Sequence, residues 1–317
     1  MIQGCSHNPI ELPCKDRTFI GFGWRFRFPV SPCLLFSLCY LFFALSLPLH
    51  NVCPCKKLIA LKIEYLTHRF SLHPSVMALH PDFVSLAPFV RSLPRLFAED
   101  KGKVIHKGRN ELRVLSHEGR NYVVKSFRRP NWVNRFVYGF FRPSKAKRSF
   151  DNALLLQSIG VGTPQPVAYY NVRSWGGLCF EKSYFVTLCS EGVHRYEELF
   201  TTRFDYADEV LRAIGSLTAV LHEHRLAHKD YGRANILFRR TPEGKIELEL
   251  VDLNRMYHGE LDLQKGCRNF ERLPATPHMH RLMAEAYAEA RGFDAEECFR
   301  LMQAFRSTQP GKIDDKW

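Results

Sequence analysis

The chain has 317 residues, 45% of them hydrophobic and 24% charged, which excludes a chain too polar to bury a core and leaves room for one large domain or two lobes. A formal net charge of +13 points to an acidic partner, whether nucleic acid, anionic lipid or a phosphorylated small molecule, without choosing among them. Six of the ten cysteines (Cys5, Cys14, Cys33, Cys39, Cys53, Cys55) fall in the first 76 residues, and the other four (Cys179, Cys189, Cys267, Cys298) are scattered as in a reduced, cytosolic protein. Cys53 and Cys55 form a CPC that lacks zinc spacing and a second pair.

Residues 1–76 read as a segment apart. Their apolar run CLLFSLCYLFFALSL (33–47) has fifteen residues, short of the roughly 20 that span hydrocarbon. Arg25 and Arg27 precede it as in a signal-peptide core, but no clean small-x-small cleavage site follows. The expectation is a non-native upstream extension with translation starting at Met77; a membrane-associated or disordered segment is the alternative. From Met77 the pattern becomes regular. ALHPDFVSLAPFVRSLPRLF (78–97) predicts a short amphipathic helix broken by Pro88 and Pro94. KVIHKGRN, ELRVLSHEG and RNYVVKSF predict three strands with turns at Gly108 and at Gly119-Arg120-Asn121. SKAKRSFDNALLLQSIG (144–160) predicts a helix closed by Gly160. Strands PVAYYNV and SYFVTLC follow. A helix over about Tyr206–Arg225 carries Val210, Leu211, Ile214, Leu217, Val220 and Leu221 as its apolar positions. A polar loop, a hairpin (ANILFRR-TPEGK-IELELVDL) and a mostly helical tail complete the chain. This order implies an α+β protein: a small β-rich lobe over 77–190 and a compact helical lobe over 191–317.

The loop HKDYGRANIL (228–237) has the spacing His228-x-Asp230-x4-Asn235, which matches the catalytic loop of phosphoryl-transfer enzymes. In that role Asp230 accepts or orients the proton of an attacking hydroxyl, Asn235 ligates Mg²⁺ through its amide oxygen, and His228 completes the catalytic set by bracing the loop. An ordinary polar turn is the plain alternative. Asp252 ends the apolar strand IELELVDL, where an ionised carboxylate is costly unless paired or metal-bound. It is the second candidate metal ligand, in Asp252-Leu253-Asn254 rather than D-F-G; a strand-end cap is the alternative.

Lys125 in YVVK is a lysine within an apolar strand, suited to anchoring ATP phosphates, or else a strand-edge lysine reaching solvent. Its expected carboxylate partner on the following helix is Asp151, since no other acid lies between Lys125 and Glu181. Gly108, Arg109 and Asn110 are the weak candidates for a phosphate-covering turn, in the absence of a G-x-G-x-x-G. The stretch FRRPNWVNRFVYGFFRPSKAKR (127–148) interleaves seven cations with aromatics and has no acid, which suits an anionic membrane interface, single-stranded nucleic acid or a simple lobe-covering insertion. His222 and His224 lack the spacing for zinc on one helix face and read as helix-end residues.

Together GRN (108–110), VVKSF (123–127), SKAKRSF-x-NALLL (144–156), GVGTPQPVAYY (160–170), SYFV (183–186), HKDYGRANIL and VDLNRM give the chain, over about residues 78–270, a resemblance to the lipopolysaccharide kinase family of the protein-kinase-like superfamily, the group with bacterial heptose and Kdo (3-deoxy-octulosonic acid) kinases. The resemblance implies a bilobal protein-kinase-like fold, ATP with Mg²⁺, and a sugar hydroxyl of lipid A or the inner core as acceptor. It implies Lys125 as phosphate anchor, Asp151 as its partner, Asp230 as base, and Asn235 and Asp252 as metal ligands. The departures are the missing glycine loop and an Asp where the family helix usually carries Glu. The expected partner is therefore an anionic glycolipid at the cytoplasmic face of the inner membrane, with the protein cytoplasmic and peripheral to it, and no nucleic acid. Only 65 residues follow Asp252, without a readable A-P-E motif, which disfavours a protein substrate. A non-catalytic kinase-like membrane-binding module and a Ser/Thr/Tyr protein kinase are the competing readings.

Overall fold

The computed structural model describes residues 75–128, 143–174 and 179–306. All belong to the compact unit Ile63–Trp317; the apolar run at 33–47, the CPC pair and most of the basic-aromatic stretch lie outside the described residues. Among the described residues no helix is long and apolar enough to cross a membrane.

The first lobe is built on an antiparallel six-stranded sheet: β1 (Ser75–Leu79), β2 (Lys103–Lys107), β3 (Glu111–His117), β4 (Arg120–Phe127), β5 (Pro166–Ser174) and β6 (Cys179–Leu188), in the order β1-β5-β6-β4-β3-β2. Alternation along β4 assigns its faces. Tyr122 and Val124 are buried with Leu115, Tyr184 and Val186 against the helix α1 (Ala87–Ala98), which contributes Phe89, Val90, Leu93 and Phe97. Period two therefore puts Lys125 and Phe127 on the opposite face, where Phe127 packs with Phe150 and Tyr169. Each fully buried apolar side chain of α1 is worth roughly 1.5–3 kcal/mol, so this face holds the helix on the sheet.

The segment over 78–97, expected as a short helix broken by Pro88 and Pro94, divides in three. Residues through Leu79 form β1, whose Ser75 and Val76 pair with Val172 and Asn171, so the expected boundary at Met77 falls inside a strand. A 3-10 turn (Pro81–Leu86) follows, and α1 then starts with Pro88 in its first turn and runs through Pro94. Pro88 does not break the helix because the first-turn N–H groups have no intrahelical acceptor to lose.

Helix α2 (Lys145–Ser158) is capped by Ser144, whose Oγ accepts from the Lys147 N–H at 3.0 Å, and closes at Gly160 with φ +76°. Two residues on, Gly162 lies so close to β10 (Ile246–Leu250) that a Cβ would sit 2.0 Å from the Leu248 carbonyl oxygen. The Leu250 N–H donates to the Gly162 carbonyl at 2.9 Å, and Thr163 Oγ1 donates to the Leu250 carbonyl at 2.9 Å. This seam fastens the first lobe to the second.

The second lobe combines β7 (His194–Arg195), β8 (Leu226–His228), β9 (Ile236–Arg240), β10 and β11 (Met256–His258) with helices α3 (Ala207–Glu223), α4 (Leu263–Arg268), α5 (Pro277–Arg291) and α6 (Ala295–Arg306). Its strands form two small sheets, β10-β9-β7 and β11-β8. The apolar positions expected on α3 are buried at Val210, Leu211, Ile214 and Leu221, half-buried at Leu217, and exposed at Val220. Gly215 lets α3 meet α5 closely, since a Cβ there would lie 2.4 Å from the Met283 carbonyl oxygen. The observed architecture is the expected α+β one, with a sheet lobe and a mainly helical lobe.

Candidate active site

The loop between β8 and β9 and the turn after β10 are brought together by backbone pairing. Leu250 pairs with Ile236 across the β9–β10 hairpin, and the Val251 N–H donates to the Asn235 carbonyl at 3.0 Å, which makes Asn235 and Asp252 neighbours. On the other side the Lys229 N–H donates to the Arg255 carbonyl at 3.0 Å. From above, Lys125 Nζ reaches Asp252 Oδ1 at 2.7 Å. Residues 127 positions apart in sequence thus meet, beside the loop that carries Asp230 and Asn235.

The loop is held from behind by neutral hydrogen bonds. His228 is completely buried; its Nε2 donates to the Val251 carbonyl at 3.0 Å and its Nδ1 accepts from the Asp230 N–H at 3.2 Å. Burial pushes the His228 pKa down against the contrary pull of the Val251 carbonyl and the two aspartates, so the ring stays neutral and serves as a brace rather than a ligand contact. Asn269 Nδ2 donates to the His228 carbonyl at 2.9 Å, and Asn269 Oδ1 accepts from His222 Nε2 at 3.1 Å. His222 Nδ1 in turn accepts from the Tyr287 hydroxyl at 2.8 Å. Tyr231, fully buried beside Asp230, pairs its hydroxyl with Thr218 Oγ1 at 2.7 Å. Asn235 Nδ2 donates to the Asp230 carbonyl at 2.8 Å, which leaves its amide oxygen for a cation.

The charged groups sit in front of this brace. Burial alone would raise the Asp252 carboxyl, but Lys125 and the Asn254 side-chain amide, in contact with Oδ1, hold it below the ordinary aspartate value. Asp252 also has φ +60°, a left-handed backbone that Asp tolerates better than most residues. The Asp230 carboxylate is committed to two guanidinium groups: Arg255 Nη1 at 3.0 and 3.2 Å from its two oxygens, and Arg272 Nη1 at 3.0 Å from Oδ1.

Helix α2 supplies the surprise. Asp151 is exposed and pairs with Lys147 one turn earlier at 2.7 Å, so Lys125 takes Asp252, not Asp151, as its partner. The i, i+3, i+7 face of α2 is instead Lys145, Arg148 and Asn152. Asn152 Nδ2 donates to the Leu253 carbonyl at 2.6 Å and ties the helix to the Asp252 turn. Burial first, then Arg109, Arg148 and Lys125, push the Lys145 ammonium below its ordinary value against the pull of Asp252. Lys145, Arg148, Arg109 and Lys125 are therefore near enough to repel one another, with Lys125 paired to Asp252. The turn Gly108–Asn110 contributes Arg109 to this group, while Asn110 Oδ1 accepts from the Arg128 N–H at 3.3 Å just past the end of β4.

The donor set for a metal is oxygen only: the Asn235 amide and the Asp252 carboxylate. That fits a hard cation such as magnesium, which takes few protein ligands and fills its shell with phosphate and water. Among the described residues no group of three or more His, Cys, Asp or Glu stands ready as an all-protein metal cage. Sequence reasoning missed Lys145, Asn152, Asn254, Arg255, Arg272, His222 and Asn269. The spacing of Lys145, Arg148 and Asn152 on one helix face was a usable signal; nothing local marks Asn269 or Arg272.

A solved structure of WaaP in complex with acyl carrier protein matches with 17% identity and TM-score 0.50, covering 73% of this chain and 97% of that one, which is a likeness of fold alone. The Rio2 kinase–ADP/Mg²⁺-phosphoaspartate complex from Chaetomium thermophilum (15% identity, 79% and 86% covered, TM-score 0.39) and a microcompartment-associated aminopropanol kinase (12%, 70% and 87%, 0.45) are too distant to carry an argument about the site. No curated protein matches the chain. Residues 97–289, more than half of the chain, match the lipopolysaccharide kinase (Kdo/WaaP) family. The chain belongs to that family, as a kinase-like phosphotransferase with an alcohol group as acceptor.

Proposed function

We propose that this protein transfers the γ-phosphoryl group of ATP, taken as its magnesium complex, to a Kdo or heptose hydroxyl of the lipopolysaccharide inner core. The observation that supports the reading is the ion pair of Lys125 with Asp252, 2.7 Å from Nζ to Oδ1, beside the loop that carries Asp230 and Asn235. Lys125, Arg109 and Lys145 would hold the nucleotide phosphates. Asn235 and Asp252 would hold the metal, which when bound neutralises charge on the transferring phosphoryl group.

Asp230 orients the acceptor hydroxyl and takes its proton as the new P–O bond forms and ADP departs. The His228, Asn269 and Tyr231 bonds keep that carboxylate in register. Catalysis on this scheme is mostly positioning and charge neutralisation. The net charge of +13 supports an anionic glycolipid acceptor and a cytoplasmic location peripheral to the inner membrane.

The test is phosphoryl transfer from radiolabelled ATP to purified lipid A bearing Kdo, and to the same lipid extended with heptose. Transfer to one of the two names the sugar. Label on neither acceptor, with an intact fold and bound nucleotide, removes the reading, and label on the protein's own Ser, Thr or Tyr would favour a protein kinase.

A further inference from the structure

Arg255 and Arg272 both end on Asp230, the carboxylate that the proposed reaction needs. Three hydrogen bonds at 3.0, 3.2 and 3.0 Å occupy most of its roughly four acceptor positions. A donating hydroxyl competes with them. Neither arginine is built in like a structural one: their side chains are 56% and 50% exposed, whereas Arg113 in the first lobe is 3% exposed and bonded to Glu111, Asp100 and the Lys101 carbonyl.

Each uses Nη1 on Asp230. Among the described residues Arg255 bonds no other side chain, and Arg272 Nε has only Glu271, at 4.0 Å. Arg255 is placed by the strand pairing that carries Lys229, and Arg272 is the last residue of a 3-10 turn (Asn269–Arg272) whose Asn269 bonds the His228 carbonyl. Two planar, half-exposed guanidiniums thus converge on Asp230 from two separate, well-anchored backbones. That arrangement suits recognition of a carboxylate or phosphate in two-pronged fashion.

We propose that Arg255 and Arg272 read an anionic group carried by the acceptor next to the hydroxyl to be phosphorylated. The acceptor's carboxylate or phosphate replaces Asp230 as their partner, and the Asp230 oxygens become available to the hydroxyl. Only an acceptor bearing that anion unlocks the base, so a neutral sugar is bound poorly and turned over slowly. The proposal rests on the sugar-kinase reading and specifies its substrate class.

The experiment uses the full chain with three acceptors built on one sugar ring: a sugar acid, its methyl ester, and the corresponding neutral sugar bearing a phosphate. With wild type, esterification should lower kcat/KM by roughly 30–100-fold, through a higher KM and a lower kcat together, and leave the KM for ATP unchanged. In the double variant Arg255→Gln, Arg272→Gln, acid and ester should agree within about twofold, and Arg272→Lys should not restore the difference. A rate equally low on acid and ester in the variant but equal on both in wild type overturns the proposal and leaves the arginines a purely structural clamp.

The phosphate arm tells which anion is read. In parallel, the Nε–H resonances of ¹⁵N-arginine-labelled protein are followed as the free acid, the ester or the sugar phosphate is added. Shifts of Arg255 and Arg272 with the anions alone uphold the proposal even where no acceptor is phosphorylated, a result that would count against the sugar-kinase reading only. No shift with either anion overturns it.

Discussion

The two sides of the candidate site are built on opposite principles. The floor, carrying Asp230, Asn235 and Asp252, is held by neutral groups, all buried but the half-buried Asn269: His228, Asn269, His222, Tyr287, Tyr231 and Thr218 pass hydrogen bonds from α5 and α3 to the Asp230 loop. The roof, carrying Lys125, Lys145 and Arg109, is a twisted sheet and a helix end that present charge with little side-chain bracing. The contrast teaches that position and charge are supplied by different residues. Neutral hydrogen bonds in a dry interior keep a loop in place without the desolvation penalty of buried ions, and half-exposed ions in front do the electrostatic work.

The sharpest way to break this division is to separate the two readouts. Asp230→Asn should lower single-turnover transfer by ~10³-fold, about 4 kcal/mol, while the thermal midpoint hardly moves, because an amide oxygen still accepts from the two arginines. Transfer within tenfold of wild type would remove Asp230 from the chemistry. His222→Leu should do the reverse: it leaves the Tyr287 hydroxyl and Asn269 Oδ1 without their partner, and urea unfolding should show a loss of roughly 2–4 kcal/mol with the KM for ATP kept.

Acid probes the same brace without mutation. Burial pushes His222 from 6.5 down to about 4, aided by Arg291 and opposed by Asn269, and burial with Arg306 pushes His280 down to about 4 as well. The unfolded chain takes up these protons near pH 6.5, and the folded one resists until about pH 4. Stability is therefore full above pH 6.5 and falls steadily between 6.5 and 4, by on the order of 3 kcal/mol for each histidine. Thermal melts across that range read the slope, and a flat profile would contradict the neutral brace.

The two smallest effects discriminate neighbours on α2. Asn152→Ala should slow transfer about fivefold, near 1 kcal/mol, by loosening the Leu253 carbonyl and with it Asp252. Asp151→Ala should change transfer less than about twofold and stability within about 0.5 kcal/mol, as expected of an exposed i,i+4 pair.

That last pair explains what a sequence can and cannot reveal here. The strands over 103–127, the helix over 144–158 and the β9–β10 hairpin were legible because period two and period 3.6 are local patterns. The spacing around Asp230 and the strand-end Asp252 were legible because a polar group beside an apolar strand needs a reason. Asp151 was singled out by elimination among acids, but helix rotation turns it to solvent, and the counter-ion of Lys125 comes from residue 252. β1 was hidden because a five-residue edge strand beside His80-Pro81 looks like a helix start. The brace is invisible in one dimension: its hydrogen bonds join residues 13 to 65 positions apart, and no spacing rule links them.

The left-handed backbone at Asp252 changes how its removal has to be read. Alanine there would lose a carboxylate and also adopt a conformation that disfavours a Cβ without polar compensation, an extra 1 kcal/mol or so. Asparagine keeps the shape and glycine keeps the torsion, so those two replacements bracket the carboxylate's own share. If glycine proves better folded than alanine yet equally inert, the handedness of one residue, rather than its charge, will account for the difference between two apparently equivalent knock-outs.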